Sequence, residues 1–284
     1  MKIAIFGSLG FLGTKLKNVF LKSGHQILGI DNNESSEFKI DATNFEQVSS
    51  FLEKERPDLI IDTIGLTSSL ECEKYPNKAI LLNYKTAKNI SQASKKINIP
   101  LIFISSSYVF DGKKGNYSEE DKPSPLNEYG KTKVLAEKEI LKLKKGIVLR
   151  VDIMYGFNGF KKQNGIFQKV LLNKDITLEQ PNQIRQPLFV DDLPSIIIDL
   201  VKKEESGIFH VAGPDRLKMK KFILSLGKII REEIKIGGDK IKEELRIPEK
   251  PTFNISKLNS FGIKTTPFEE ASKIIKKQIT SEQL

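Results

Sequence analysis

A single cysteine, Cys72, stands in 284 residues, so no disulfide can close within the chain. Histidine is nearly as scarce. His25 and His210 lie far apart in sequence, and with one thiol they offer no ligand set for zinc, so no metal is expected. Cys72 reads as a small, partly buried apolar residue, and His210, which ends an apolar run, as a core or rim residue. No apolar stretch approaches the roughly 18 residues that a spanning helix needs, and the first residues do not read as a secretory signal. A soluble, cytoplasmic protein with no membrane partner is the expectation. A basic stripe is missing too. Lysine and arginine exceed aspartate and glutamate by 46 to 36, a net charge of +10. The bases are scattered and interleaved with acids, which argues against a nucleic-acid partner.

What the chain does contain is an alternation of short apolar runs and amphipathic stretches through about residue 150, the pattern of an α/β fold with a parallel sheet. Strands are expected near 2–6, 26–30, 38–41, 59–63, 100–105, 147–151 and 207–210, with helices over 11–23, 44–55, 77–97 and 128–144. Asn77 is placed as the cap of the third helix, and Asn98-Ile99-Pro100 closes it. The last third is less regular, with loops marked by Gly237-Gly238 and Pro248 to Pro251. The length permits one large domain or two modest ones.

The first strand runs straight into Gly7-Ser8-Leu9-Gly10-Phe11-Leu12-Gly13 and then an amphipathic helix. Strand, glycine-rich turn and helix, in that order, form the context in which a dinucleotide is bound. Glycines let the backbone turn tightly and approach a phosphate, and the helix start presents free N–H groups to the anion. The second strand ends at Asp31, an acid suited to a ribose 2′-hydroxyl. The spacing is G-x-x-G-x-x-G.

A further apolar run, Leu101 to Ile104, opens into three hydroxyls, Ser105, Ser106 and Ser107, followed by Tyr108. Ligands of open parallel sheets lie at such carboxyl ends. Tyr129 and Lys133 follow at a helical i, i+4 spacing, so both can reach one bound molecule. A phenol has a reference pKa of about 10, and a neighbouring ammonium is expected to lower it towards neutrality.

In these features together the chain resembles the extended short-chain dehydrogenase/reductases, and within them the dTDP-4-dehydrorhamnose reductase branch. The resemblance is carried by the glycine triplet, Arg56 to Asp62, Glu73 to Asn83, Ser105 to Gly112, Ser124 to Glu137, Leu149 to Gly156, Phe189 to Asp192 and Gly207 to His210. The combination of S-S-x-Y-V-F-D-G with P-L-N-x-Y-G-K-T-K is shared with the non-catalytic regulatory β subunit of methionine adenosyltransferase. Two positions depart from the branch: Ser107 stands where aspartate is usual, and Phe11 where glutamine is frequent.

The resemblance implies a Rossmann-type doubly wound parallel sheet with a small carboxyl-terminal substrate-binding lobe. Residues 1–152, with 186–212 returning to them, would bind the dinucleotide, and 153–185 with 213–284 would form the lobe. It implies reduction of a nucleotide-activated 4-keto-6-deoxysugar, with Tyr129 as proton donor, Lys133 as its activator and holder of the nicotinamide ribose, and Ser106 bonding the substrate carbonyl. The cofactor would lie against Gly7, Leu9, Gly10, Phe11, Leu12, Gly13, Asp31, Asp41, Ala42, Thr63, Ile64, Gly65, Asn83 and Ser105, besides Tyr129 and Lys133. Either NAD(H) or NADP(H) fits, with NAD(H) slightly favoured: Asp31 would repel a 2′-phosphate and no arginine follows it, although Lys39 lies near. Ser106, Ser107, Tyr108, Asn164 and Arg185 are the substrate candidates. The basic excess suits an anionic diphosphate, with Lys161, Lys162, Lys169 and Arg185 placed to meet it. A homodimer is a candidate assembly. Rival readings are a nucleotide-sugar epimerase or dehydratase using the same Ser–Tyr–Lys set, and a cofactor-binding regulatory subunit.

Overall fold

Apolar runs become strands and amphipathic stretches become helices through the first half of the chain. The computed structural model describes residues 1–159, 165–172, 175–178, 180–230, 233–237 and 245–283. Its elements begin β1 (Lys2–Phe6), α1 (Phe11–Lys22), β2 (Gln26–Asp31), β3 (Phe38–Lys39), α2 (Phe45–Glu55), β4 (Leu59–Asp62), α3 (Ser69–Lys74) and α4 (Pro76–Ala79). Then come α5 (Thr86–Ile97), β5 (Leu101–Ser106), α6 (Glu128–Ile140), β6 (Gly146–Val151), β7 (Met154–Tyr155), α7 (Ile166–Leu172), β8 (Asp175–Thr177), β9 (Ile184–Arg185) and β10 (Leu188–Phe189). The rest are α8 (Leu193–Lys202), β11 (Gly207–Val211), β12 (Leu217–Lys218), α9 (Met219–Ile230), β13 (Lys235–Gly237), α10 (Ser256–Ser260) and α11 (Phe268–Gln283).

Seven strands form one sheet in the order β3-β2-β1-β4-β5-β6-β11, every pair parallel. The order reverses between β1 and β4, so their carboxyl ends diverge into a crevice. Side chains alternate across the sheet. Ile3, Ile5, Ile61, Ile102 and Leu149 meet Leu16 of α1 and Ile197 of α8 on one face. Ala4, Phe6, Ile60, Phe103 and Val148 meet Leu52 of α2, Ile90 of α5 and Ile140 of α6 on the other. Burial on both faces explains why these strands read as unbroken apolar runs.

A third apolar cluster, with Tyr155, Phe157, Phe167, Phe222, Leu226 and Ile275, packs α7, α9 and α11 beside short two-stranded ladders. It is tied to α1 by Lys15, which is buried, bonds the Phe157 carbonyl at 2.7 Å and pairs with Asp191 at 2.7 Å. This link sets the second cluster of elements over the start of α1.

Several boundaries differ from the sequence expectation. The stretch expected as one helix over 77–97 is α4, a π-helical segment at 80–85, and α5. Asn77 lies inside α4 rather than capping it: Pro76 takes the first helical turn, where its missing N–H is no loss, and Tyr75 is the N-cap. Asn98 does close α5, in the left-handed region at φ 53°. The helix expected to reach 144 ends at Ile140, where the chain turns so that β6 can enter beside β5. β3 stops at Lys39 because the Asp41 carboxylate takes the N–H and hydroxyl of Thr43 and turns the chain into α2, which Asn44 caps. Among the described residues no helix is long and apolar enough to cross a membrane, and no group of three or more potential metal ligands converges.

Candidate active site

The glycine turn after β1 is held by backbone bonds, with the Gly7 and Ser8 N–H groups both donating to the Ile30 carbonyl. Two of its glycines are required by sterics. Gly7 has φ 80°, and a Cβ there would lie 2.7 Å from Thr63 Oγ1. A Cβ on Gly13 would lie 2.1 Å from the Gly7 carbonyl oxygen, so only glycine lets α1 sit so close to the turn. Gly10 is the N-cap of α1 with ordinary extended dihedrals and makes no side-chain cap. The first turn of α1 carries no acid, so its N–H groups and the positive end of the helix dipole are unopposed. Asp31 stands at the end of β2 and accepts the Leu9 N–H at 3.3 Å. Lys39 is paired with Glu34.

These elements open onto a cavity of about 650 Å³. Gly10, Phe11, Leu12 and Gly13, at the start of α1, line it, as do Thr63, Ile64 and Gly65 after β4. Ser105, Ser106, Tyr108, Tyr129, Lys133 and Arg185 line the same cavity. One space thus brings together an anion-binding helix start and the Ser–Tyr–Lys set.

Ser106 Oγ accepts the Tyr108 N–H at 3.2 Å and bonds the phenol of Tyr129. The Tyr129 ring lies edge-on to Tyr108, with centroids 5.9 Å apart. Burial pushes the Tyr129 phenol up to about 12, against the bond from Ser106, which lowers it. The expected lowering by Lys133 is not what governs it. The Lys133 ammonium bonds the Ile104 carbonyl at 2.9 Å and sits 4.6 Å from the centroid of Phe103. Burial lowers Lys133 to about 8, opposed first by the charge of Asp62 and then by Glu137.

Arg185 is buried and held by the Asp152 carboxylate through Nε at 2.8 Å and through Nη2. Its Nη1 donates to the Tyr108 hydroxyl and to Gln183 Oε1, each at 3.3 Å. Asp152 also accepts from the Ser107 hydroxyl at 2.9 Å and from the Gln186 N–H. The carboxylate neutralises the guanidinium of Arg185, which lines the cavity.

The remaining candidates are placed by their own contacts. Ser107 is fully buried on Asp152 and does not line the cavity. The Ser105 hydroxyl is turned to Glu137 at 2.5 Å. Asn83 is completely buried: its Oδ1 accepts the Leu66 N–H at 2.7 Å, and its Nδ2 donates to the Leu66 carbonyl and Thr132 Oγ1. It braces the loop after β4 from behind instead of facing the cavity. Asp41 is engaged with Thr43, and Ala42 is buried beside α2. Asn164, with Lys161 and Lys162, lies outside the described residues; Lys169 lines the cavity. Missed in the sequence were Asp152, Gln183, Met154 and Asp62. Asp152 had a signal, since it directly follows an apolar run at the same sheet edge as Ser106.

Behind Ser105, Glu137 forms a buried bidentate pair with Arg150, at 2.9 Å to Nε and 2.7 Å to Nη2. Arg150 also meets His210 Nε2 at 3.3 Å. A guanidinium can only donate, so Nε2 accepts and Nδ1 carries the hydrogen bonded to the Tyr117 carbonyl at 3.0 Å. Burial and Arg150 push this imidazole down to about 3. His210 is therefore a neutral core residue of β11.

The sequence matches the family described as the RmlD substrate binding domain over residues 1–280. The chain belongs to the RmlD substrate binding domain family. A dTDP-4-dehydrorhamnose reductase of Aggregatibacter actinomycetemcomitans is 30% identical over 75% of this chain and 73% of its own. Methionine adenosyltransferase 2 subunit beta of Mus musculus is also 30% identical, over 96% of this chain and 86% of its own. The crystal structure of dTDP-4-dehydrorhamnose reductase from Bacillus anthracis in complex with NADP superposes with a TM-score of 0.86 at 24% identity, over 96% of this chain and 98% of that one. That last likeness is one of fold, and it matches the doubly wound sheet of this RmlD-family chain.

Proposed function

We propose that this chain is an NAD(P)H-dependent reductase of a nucleotide-activated 4-keto-6-deoxysugar. The observation that carries the reading is the single cavity in which the open N-terminus of α1 faces Ser106, Tyr129, Lys133 and Arg185. The donor set fits a dinucleotide: unopposed N–H groups at α1, a glycine at 13 that admits close backbone approach, and Asp31 at the ribose end. When bound, the nicotinamide supplies the hydride to the sugar carbonyl carbon. Tyr129, whose pKa of about 12 keeps it protonated near neutrality, delivers a proton to the carbonyl oxygen. The Ser106 hydroxyl donates to that oxygen as charge develops on it. Lys133 holds the nicotinamide ribose, and the Asp152-anchored Arg185 meets the diphosphate or the sugar. Residues 1–152 and 186–212 serve the dinucleotide, while 153–185 and 213–284 cover the substrate. The relatives named as reductases support this reading.

The test is net oxidation of NADH and NADPH on addition of dTDP-, UDP- and GDP-linked 4-keto-6-deoxysugars. Stoichiometric oxidation with a 4-hydroxy product is expected. Sugar interconversion with no net oxidation identifies an epimerase instead. A second reading rests on the 96% coverage by a methionine adenosyltransferase beta subunit: a cofactor-binding regulatory subunit, which shows no turnover and co-purifies with a stoichiometric enzyme.

A further inference from the structure

Asp62 ends β4, just before the loop that lines the cavity, and it is 1% exposed. Its Oδ1 accepts the Ile64 N–H at 2.9 Å, while Oδ2 is buried with no hydrogen-bond partner among the described residues. An isolated buried carboxylate is costly unless an opposite charge faces it. In the sheet, Asp62 is the register partner of Phe103, so both side chains project from the same face. Lys133 Nζ lies 4.6 Å from the centroid of that Phe103 ring. A Cβ built on Gly65, three residues after Asp62, would lie 3.3 Å from the same nitrogen. The ammonium therefore sits over the patch of sheet from which the orphaned carboxylate emerges.

The other surroundings leave these two groups to each other. β1 and β5 present Phe6 and Phe103, and the π-helical segment presents the neutral Asn83. α3 contributes the buried Cys72 thiol, pushed up to about 11 by its burial. On α6, Glu137 is taken by Arg150 of β6, and Tyr129 carries a protonated phenol.

We propose that Asp62 is a positioning residue: its carboxylate is the counter-charge that keeps Lys133 protonated and directed at the cofactor end of the cavity. The mutual influence is consistent with this, since Lys133 opposes the burial that raises Asp62 to about 6, and Asp62 is the first charge opposing the burial that lowers Lys133. The role rests on the reading of Lys133 as a cofactor ligand, but its test contains neither cofactor nor sugar.

Protein carrying ¹³C-labelled lysine is titrated by NMR, with the Lys133 signal assigned from the Lys133→Met variant. The wild-type midpoint is expected near 8, and Asp62→Asn, which keeps the Oδ1 acceptor for Ile64, should lower it by about one unit or more. An unmoved or raised midpoint in folded Asp62→Asn overturns the proposal, whether or not the protein proves to be a reductase. Thermal unfolding at pH 8 gives the second arm. Because burial raises Asp62 to about 6, its ionised form costs stability at pH 8, and Asp62→Asn should raise Tm in both backgrounds, by less in wild type than in Lys133→Met, where the carboxylate has lost its partner. Equal shifts in the two backgrounds, or a larger rise in the wild-type background, also overturn it.

Discussion

The glycine turn can be tested at single-atom scale, because its three glycines are not equivalent. Gly13→Ala places a methyl 2.1 Å from the Gly7 carbonyl oxygen and 2.8 Å from Ser8 Cα. Both obstacles are backbone, so relief requires moving α1 away from the turn. Overpacking of this kind costs about 1–3 kcal/mol, and main-chain obstacles put Gly13→Ala at the upper end. For a chain of this size that corresponds to a fall in Tm of roughly 5 °C or more. Gly10→Ala meets only the Gly7 carbonyl oxygen, at 3.3 Å, from a backbone conformation that any residue adopts. Its Tm should stay within about 2 °C of wild type, the scale of a change under 0.5 kcal/mol. Differential scanning calorimetry of both variants, with NADH binding followed by fluorescence, measures the contrast. NADH affinity of Gly13→Ala should fall at least about tenfold, since displacement of α1 removes the N–H cradle. Equal Tm values for the two variants, or a lower one for Gly10→Ala, would refute the close-approach argument.

Glu137→Gln leaves the Arg150 guanidinium buried without a counter-charge, a loss on the order of 3–5 kcal/mol that urea unfolding should register; a change below about 1 kcal/mol would show the pair to be dispensable. His210 has its folded-state pKa depressed to about 3 against an unfolded value near 6.5, so the unfolded chain takes up the proton first. Its contribution is present above pH 6.5 and is lost as pH falls from there towards 3. His210→Gln, which keeps an acceptor for Arg150, should therefore lose less stability than wild type between pH 7 and pH 4.5, measured by urea unfolding at both. Parallel losses in the two proteins would remove His210 as the cause.

Much of the sheet could be read from local pattern, because strands buried on both faces leave short apolar runs that glycines, prolines and polar residues punctuate. The turn after β1 was legible for the same reason: each of its requirements lies within a dozen residues. So was the approach of Ser106 to Tyr129, which strand ends and helical spacing bring to one edge of the sheet. The buried charge pairs were not. Arg185 meets Asp152 and Arg150 meets Glu137 only after distant elements have packed, and no spacing encodes those meetings. The direction of the Tyr129 shift was misjudged for a related reason. An i, i+4 lysine argues for a lowered phenol, but burial outweighs it once Lys133 turns to the Ile104 carbonyl. Asn83 is a further case: the resemblance places it among the cofactor residues, and its burial against the loop after β4, through Leu66 and Thr132, could not be read from spacing.

The most direct test of the proposed chemistry is single-turnover oxidation of NADH or NADPH by the preferred keto-sugar, in wild type and in Tyr129→Phe. One cofactor oxidised per sugar reduced is expected in wild type. In Tyr129→Phe, cofactor binding should stay within about twofold and the rate should fall by about 10² or more, the range expected for loss of a positioned proton donor. Tyr129→Phe reducing the sugar at the wild-type rate would contradict the proposed chemistry.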